Sequence, residues 1–270
     1  MITYHELHSP EDLEQIVDLQ AEVWNATDRA STPHNMLMAI AHAGGVILAA
    51  ADEGRFISFN FAILARQGDE LLLWSHMAGT LPAYQGQKIG QKLKFMQRDW
   101  ALAHGYKRIN WTTDPLQSGN ANFNLRYLGA TAAQYMVNQY GAMNDAINAG
   151  METDRFEMTW DLDHPRVIDL SAGQPPQPLV TSYPEDHFLL TTDSQGFPLC
   201  HDVGPLENSA YFAEVPLSIG AIKQQDIALA KQWQQSLREK LVPAFEQGYR
   251  VVDFTRQGRR GWYTVMQMAR

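Results

Sequence analysis

Cysteine is almost missing from this 270-residue chain, which has one, Cys200. One thiol cannot close an internal disulfide, so the sequence is expected to fold in a reducing compartment, the cytoplasm. Pro198-Leu199-Cys200-His201-Asp202 puts an imidazole and a carboxylate beside that thiol. Neighbours on an extended chain point to opposite faces, however, and a nucleophile meets its base through space. Cys200 is therefore expected to be a small buried apolar residue. Positive charge is short as well: 21 Lys and Arg face 30 Asp and Glu, a net charge of -9. Nucleic acids and anionic membranes need a basic face, so neither partner is expected, while a local basic patch for phosphates stays open. The strongest apolar run, 46–51, falls far short of the roughly 20 residues that cross a bilayer. The opening Met1-Ile2-Thr3-Tyr4-His5-Glu6 has neither the basic stretch nor the apolar core of a secretory leader. The nine histidines make no His-x-x-x-His or mixed Cys/His spacing, and no metal is expected.

What is present is ordinary for a folded chain: 45% hydrophobic and 19% charged residues, at a length that admits one large domain or two modest ones. Residues 2–7 read as an opening strand. Ser9-Pro10-Glu11-Asp12 then starts a helix: Ser9 caps it, Pro10 takes the first helical position, and the acids sit at the positive end of the dipole. Leu13, Ile16, Val17, Leu19 and Val23 continue it with helical spacing. Thr32-Pro33 opens a second helix, closed by Gly44-Gly45. Strands over 46–51, 56–64 and 71–81, with short turns between them, predict an antiparallel meander. The third, with Leu71-Leu72-Leu73-Trp74 unbroken, is expected to be central and covered on both faces.

A helix over 85–104 lines up Ile89, Leu93, Met96, Trp100 and Ala103 as one apolar stripe. A strand over 106–113, a helix over 122–128 and strands over 131–140 and 156–162 complete a first domain, 1–168. Residues 169–186 hold Pro175, Pro176, Pro178 and Pro184 and read as a linker. A C-terminal α/β extension, 187–270, follows, with strands over 211–217, 249–254 and 262–266 and a helix over 223–247. Its Gly248-Tyr249-Arg250-Val251-Val252-Asp253-Phe254-Thr255 lines up with Gly105-Tyr106-Lys107-Arg108-Ile109-Asn110-Trp111-Thr112. The likeness fits a degenerate partial repeat, or a chance match of two helix–glycine–strand junctions. Different strand partners for the second block would exclude the repeat.

The informative junction is Leu81-Pro82-Ala83-Tyr84-Gln85-Gly86-Gln87-Lys88-Ile89-Gly90-Gln91-Lys92-Leu93. A strand ends, a loop turns and a long helix begins. The first amides of a helix have no partner inside it and the dipole adds positive potential, which suits phosphate oxygens. Glycine lets a phosphate approach the backbone, and Lys88 and Lys92 add charge.

This segment resembles the pyrophosphate-binding motif Q/R-x-x-G-x-G/A of the GCN5-related N-acetyltransferases. Gln85 takes its first place and Gly90 its last, while Lys88 stands where the family has its middle glycine. Tyr84-Gln85-Gly86 and Pro82 fit the flanks. The order of elements over 1–165 also matches: strand, two helices, antiparallel strands, loop, long helix, strand, helix, strand, strand. Ser75-His76-Met77, Trp111-Thr112-Thr113-Asp114-Pro115-Leu116, the stretch 120–130 and Thr153-Asp154-Arg155 are similar to one branch of that superfamily.

The resemblance implies an α/β (α+β) fold with a mixed, mostly antiparallel sheet flanked by helices. It implies an enzyme that takes an acyl group, most often acetyl, from acyl-coenzyme A and passes it to a small-molecule amine by direct attack, without a metal. In that fold the fourth and fifth strands splay and the coenzyme arm pairs with the free edge of the fourth. Ala78, Gly79, Thr80, Leu81, Gln85, Gly86, Gln87, Lys88, Ile89 and Gly90 then bind coenzyme, with Asn120 and Asn124 reaching its arm; Asn120 equally suits a helix cap. His76 is the first candidate base, or else a hydrogen-bonded core histidine. Asp114 is the second, or else a turn former before Pro115.

The family's thiol-protonating tyrosine falls at Leu125 here. Tyr127, two places on, is the candidate acid or a packing residue, and solvent is the alternative. Trp24, Glu22, Asn138, Tyr140, Asn144, Asp145 and Arg155 are candidates to line the acceptor site. Arg155 could hold a carboxylate in a fork, or pin the loop through Asp154 or Asp145. A non-catalytic acyl-coenzyme A sensor is one alternative. A transferase of a larger donor such as succinyl-coenzyme A onto an amino acid is the other, and it calls for a cationic side chain near the thioester. The extension could complete the sheet, shape the acceptor pocket or mediate a homodimer.

Overall fold

The computed structural model describes residues 1–24, 31–143 and 148–267. The chain forms two compact units, 1–111 with 161–164, and 112–160 with 165–270. Each has a mostly antiparallel sheet flanked by helices, and neither border falls in the proline-rich stretch.

The first unit runs β1 (Thr3–Glu6), α1 (Pro10–Trp24), α2 (His34–His42), β2 (Val46–Asp52), β3 (Arg55–Gln67), β4 (Glu70–Thr80), α3 (Ile89–Ala103) and the start of β5 (Arg108–Thr113). Its strands lie in the order β1-β2-β3-β4-β5. Short turns make β2, β3 and β4 antiparallel, β1 pairs antiparallel with β2 across the two intervening helices, and β5 joins β4 in parallel after the α3 crossover. Ser9 caps α1 as expected, its hydroxyl accepting from Asp12 N–H at 3.1 Å. Leu13, Ile16 and Leu19 of α1 are buried. The strands covered on both faces are β2, buried throughout 46–51, and β3, buried throughout 57–62, and not β4. β4 is buried at Leu72, Leu73 and Ser75, and it pairs with β5 at Leu73↔Ile109 and Trp74↔Asn110.

α3 begins at Ile89, later than the apolar spacing suggests, because Gly86 (φ +78°) and Lys88 (φ +62°) are left-handed and cannot continue a helix backwards. Its buried face is Ile89, Leu93, Lys94, Gln97, Arg98 and Ala101. That face is rotated from the stripe expected through Met96 and Trp100.

The second unit contains α4 (Ser118–Ala121), a π-helical turn (Asn122–Tyr127), β6 (Thr131–Met136), β7 (Arg155–Asp161), α5 (Pro165–Ser171), β8 (Phe188–Thr192), β9 (Pro198–Cys200), β10 (Ala210–Val215), α6 (Ile219–Gln225), α7 (Ile227–Glu246), β11 (Tyr249–Gln257) and β12 (Arg260–Gln267). The strand order is β7-β6-β11-β12-β10-β8-β9, with only β8 and β10 parallel among the pairs of this unit. The expected helix over 223–247 is divided, since Asp226 leaves helical geometry (φ −150°) to cap α7, accepting from Ala228 and Leu229 N–H. Trp233, Leu237 and Leu241 of α7 are buried as the spacing predicts.

Three expectations are corrected. Cys200 is exposed rather than buried, for it ends the short edge strand β9. Residues 169–186 are not a free linker: α5 reaches into them, Leu179 N–H donates to Asp253, and Arg126 donates to Pro176 O. The repeat is excluded, because β5 pairs in parallel with the strand that precedes its helix, whereas β11 has antiparallel β6 and β12 as partners and β10 pairs elsewhere. Gly105 (φ +84°) and Gly248 (φ +86°) both close a helix in the left-handed region, and that shared demand explains the likeness.

Candidate functional site

The junction from β4 to α3 is built as a concave main-chain turn. β4 ends at Thr80, 82–84 make one 3₁₀ turn, and Gly86 and Lys88 then reverse the chain into α3. Gln85 folds back, its Nε2 donating to Thr80 O at 3.1 Å, and Gln87 Nε2 donates to Ala83 O at 3.2 Å. The N-cap residue Lys88 makes no side-chain cap, and the first bond inside α3 runs from Lys92 N–H to Lys88 O at 3.0 Å. The preceding amides of the first turn therefore have no partner within the helix.

Glycine at 90 has no reason in the protein's own packing. It lies in the first turn of α3, and a Cβ there would meet only Thr80 Oγ1, at 3.4 Å. A helical glycine costs about 1 kcal/mol against alanine, so the space above it is kept open at some expense. Lys88 adopts the left-handed conformation that the family's middle glycine would take freely. Lys92 is engaged elsewhere, its Nζ 4.0 Å from the centre of the Tyr4 ring.

β4 carries a bulge just before this turn. Phe61 pairs with Met77 and Ala62 with Ser75, so His76 is the extra residue. Its ring packs against Phe61 at 5.6 Å and is otherwise exposed. Partial burial against that wall lowers its pKa from 6.5, which favours the neutral base. From Ser75 to Thr80, β4 has β3 as its recorded partner on one side and no recorded pair with β5 on the other among the described residues. Ala78 and Thr80 lie on this stretch. Gly79 is required by packing, because a Cβ would fall 2.8 Å from Val23 Cγ1. Trp24 completes that contact, edge-on to Phe59 at 5.6 Å, and Glu22 pairs with Arg55 at 2.6 Å. Both serve the packing of α1. Leu81 is buried and Ile89 anchors α3 in the core.

The second unit groups the remaining candidates. Asp114 follows β5 and accepts from Leu116 N–H at 2.8 Å and Gln117 Nε2 at 3.2 Å. Burial raises its pKa despite these bonds and the nearby Arg155. It lines a cavity of about 240 Å³ with Gln117, Asn148, Glu152, Lys223 and Gln234. Arg155 is buried and donates to Asp154 O at 2.7 Å and Asn148 Oδ1 at 2.8 Å, with its guanidinium 5.4 Å from the Tyr140 ring centre. It thus pins the loop through a carbonyl and an amide and not through the Asp154 carboxylate, while Asp145, the other expected partner, lies outside the described residues. The Asp154 carboxylate is taken by Tyr135, Asn138 N–H and Arg238.

Asn138 (φ +47°) accepts from Thr153 through its side chain, and Tyr140 shares a 2.8 Å hydrogen bond with Thr112. Both are loop-building roles. Asn144 and Asp145 lie outside the described residues. Tyr127 is 37% exposed, whereas Asn124 and Leu125 are buried. They share the π-helical turn, a winding that concentrates at functional sites in other proteins and that changes the facing rules of an α-helix. Asn120 is exposed within α4, whose N-terminal flank is Gln117, so it does not cap.

Sequence reasoning missed Ser75, Lys94, Gln97 and Asn60, a buried polar chain between α3, β4 and β3. The available signal was Lys94 and Gln97 lying beside Leu93 on the helix wheel, three residues apart on one face.

Comparisons with known sequence families and with curated proteins found no match. Among solved structures, the ribosomal-protein-S18-alanine N-acetyltransferase from Escherichia coli is similar over 61% of this chain and 96% of its own, at 16% identity and a TM-score of 0.48. An acetyltransferase of the GNAT family from Streptococcus pneumoniae is similar over 59% and 98%, at 15% identity and a TM-score of 0.47. Arabidopsis thaliana Naa50, solved with the bisubstrate analogue CoA-Ac-MVNAL, is similar over 58% and 97%, at 12% identity and a TM-score of 0.47.

Proposed function

We propose that this chain is an acyl-coenzyme A-dependent N-acyltransferase of the GCN5-related N-acetyltransferase type. The observation that carries the reading is Gly90, an unforced glycine in the first turn of α3, whose N-cap residue Lys88 makes no side-chain cap, directly after β4. Gln85, Gly86, Gln87, Lys88, Ile89 and Gly90 would hold the diphosphate through main-chain N–H groups and the helix dipole. The edge of β4 over Ala78, Gly79, Thr80 and Leu81 would pair with the coenzyme arm, and Asn120 and Asn124 are its candidate side-chain contacts.

In this reading His76, kept neutral by its surroundings, takes the proton from the acceptor ammonium so that the free amine attacks the thioester. Asp114 is the second candidate base, for an amine held in the cavity that it lines. Leu125 at the place of the family's tyrosine leaves the departing thiolate to solvent or Tyr127. The acceptor in this reading is a small amine, with Trp24, Asn138, Tyr140 and Arg155 as the candidate residues toward it.

Calorimetric titration with coenzyme A tests the phosphate turn. The wild type should bind, and Gly90→Glu should weaken binding at least about tenfold, since a carboxylate would occupy the diphosphate's place. Equal affinity in the two proteins removes the assignment. Mixing with acetyl-coenzyme A and an amine panel separates an enzyme, which releases thiol, from a sensor, which binds without release.

A further inference from the structure

The second unit holds a cavity of about 940 Å³, and none of the residues lining it takes part in the steps above. Its size is that of a small-molecule site. It lies at the C-terminal ends of β8 and β10, the parallel pair of this unit, beside the hairpin that joins β11 to β12.

One wall is aromatic. Phe188 and Trp262 are buried with their ring centres 6.1 Å apart, and Tyr183 stands edge-on to Trp262 at 5.1 Å. Trp262 is 3% exposed, and its indole Nε1 has no acceptor among the described residues. An unmet donor weakens the fold, and phenylalanine would fill most of the same space without one. Trp233, which lines the same cavity, shows the ordinary arrangement: its Nε1 donates to Gly196 O at 3.2 Å.

The charged groups divide into used and spare. Glu214 is buried and satisfied, accepting from Thr192 N–H at 3.1 Å and from Arg260 Nε and Nη2 at 3.2 and 2.8 Å. Asp193 is held in its own loop, accepting from Gln195 and Phe197 N–H, both at 2.8 Å. Arg260 spends one side of its fork on Glu214 and lies over the Phe188 and Trp262 rings, 5.6 Å from each centre. Its side chain is 53% exposed, and its Nη1 has no recorded acceptor among the described residues. Arg259, next to it, is exposed. The cavity therefore offers flat apolar faces, a buried donor and guanidinium N–H groups. Those features fit a flat ring bearing an anionic acceptor. Glu185, Asp193 and Glu214 line the same space, which favours the single charge of a carboxylate over the two of a phosphate.

We infer that this cavity is a binding site for an aromatic carboxylate. The ring lies along Phe188 and Trp262, and the carboxylate accepts from Arg260 Nη1 and from Trp262 Nε1, with Arg259 adding positive charge. Water does not reach the indole nitrogen in the free chain, so the half-exposed Arg260 side chain is the cover that shifts as the ligand enters. The inference stands apart from the acyl-coenzyme A reading.

The experiment is a set of calorimetric titrations of the full chain with indole-3-acetate, its neutral analogue indole-3-acetamide, cyclohexaneacetate and inorganic phosphate. Indole-3-acetate should bind. The amide should bind about tenfold or more weakly, the scale of one hydrogen bond to a charged group, and cyclohexaneacetate and phosphate more weakly as well. Trp262→Phe keeps a ring and removes the donor, while Arg260→Lys keeps the charge beside Glu214 and removes the fork. Each should lower the affinity for indole-3-acetate about threefold or more, and circular dichroism checks that both variants fold. No binding of indole-3-acetate up to about 5 mM overturns the site. Equal affinity for the acid and the amide, or phosphate binding as tightly as the acid, overturns the ligand class. Full affinity in both folded variants would place the ligand elsewhere on the chain and overturn the assignment.

Discussion

At position 88 a lysine occupies the left-handed region, with φ +62° and ψ 10°. A side chain there costs about 1–2 kcal/mol relative to glycine. Lys88→Gly should therefore raise stability by about 1 kcal/mol in urea unfolding, less what is lost to chain entropy. If the lysine stands there for its charge, the same variant should bind coenzyme A less tightly in low salt and equally in high salt. His76 carries a second residue-scale prediction. Its pKa lies below 6.5, so the neutral form dominates at neutral pH and the rate should fall only as pH drops below that value. His76→Ala should lower turnover about 10²–10⁴-fold and remove that acid limb, with coenzyme affinity retained. An unchanged pH–rate profile in the variant would take His76 out of the reaction. Single residues were partly legible in the sequence. Gly86 announces by type the left-handed reversal that leads into α3. The roles of Glu22, Trp24, Asn138 and Arg155 were not legible, because a loop-pinning side chain and a substrate-binding one are the same residue types until their partners are seen.

Among elements, α3 is the instructive case. Periodicity gave its existence and its C-terminal end but started it four residues early and put Met96 and Trp100 on the buried face, where the fold has Lys94, Gln97 and Arg98. Polar residues buried for a purpose reverse the signal on which hydrophobic spacing depends. Lys94 leaves a thermodynamic mark. Its pKa is 10.5 in a solvated chain and about 7 in the fold, so between these values the unfolded chain holds a proton that the folded chain lacks. Stability must then rise with pH across that window, and the penalty is fully present below its lower edge. Lys94→Met should be more stable than wild type by a few kcal/mol at pH 6, with the gap narrowing steadily toward pH 9. That range stops short of tyrosine ionisation, which would act in the opposite sense. A gap independent of pH would mean that the buried amine is charged in the fold. Strands β8 and β9 are a different kind of omission. Phe188-Leu189-Leu190 was the only apolar cue, and a three-residue edge strand with Pro198 in it has too little pattern to be read.

On the scale of the molecule, compactness does not follow composition. Four prolines within 169–186 suggested a tether, yet that stretch is fastened to the second unit: Arg126 donates to Pro176 O, Tyr183 packs on Phe212 and Trp262, and one carboxylate holds Leu179 N–H. Asp253, on β11, is 1% exposed and pairs with Arg126 and Arg166, each at 2.9 Å. The same side chain accepts from Leu179 N–H at 3.1 Å and from Phe254 N–H at 2.9 Å. The motif that looked like a repeat, with Asp253 facing Asn110 in the alignment, is here a hub that closes the proline-rich segment over the sheet of its own unit. Proline helps such a segment, since a chain with fixed φ loses less entropy when it is held. Asp253→Asn keeps the size of the side chain but takes the Asp253 charge away from two guanidinium groups, each at least four-fifths buried. It should cost about 3–5 kcal/mol, the range for breaking a buried ion pair. Limited proteolysis of the variant should cut within 169–186, where the wild type resists. A variant that loses stability without becoming cleavable there would show that Asp253 serves β11 alone. One that loses neither would mean that the arginines find water as good a partner as the carboxylate.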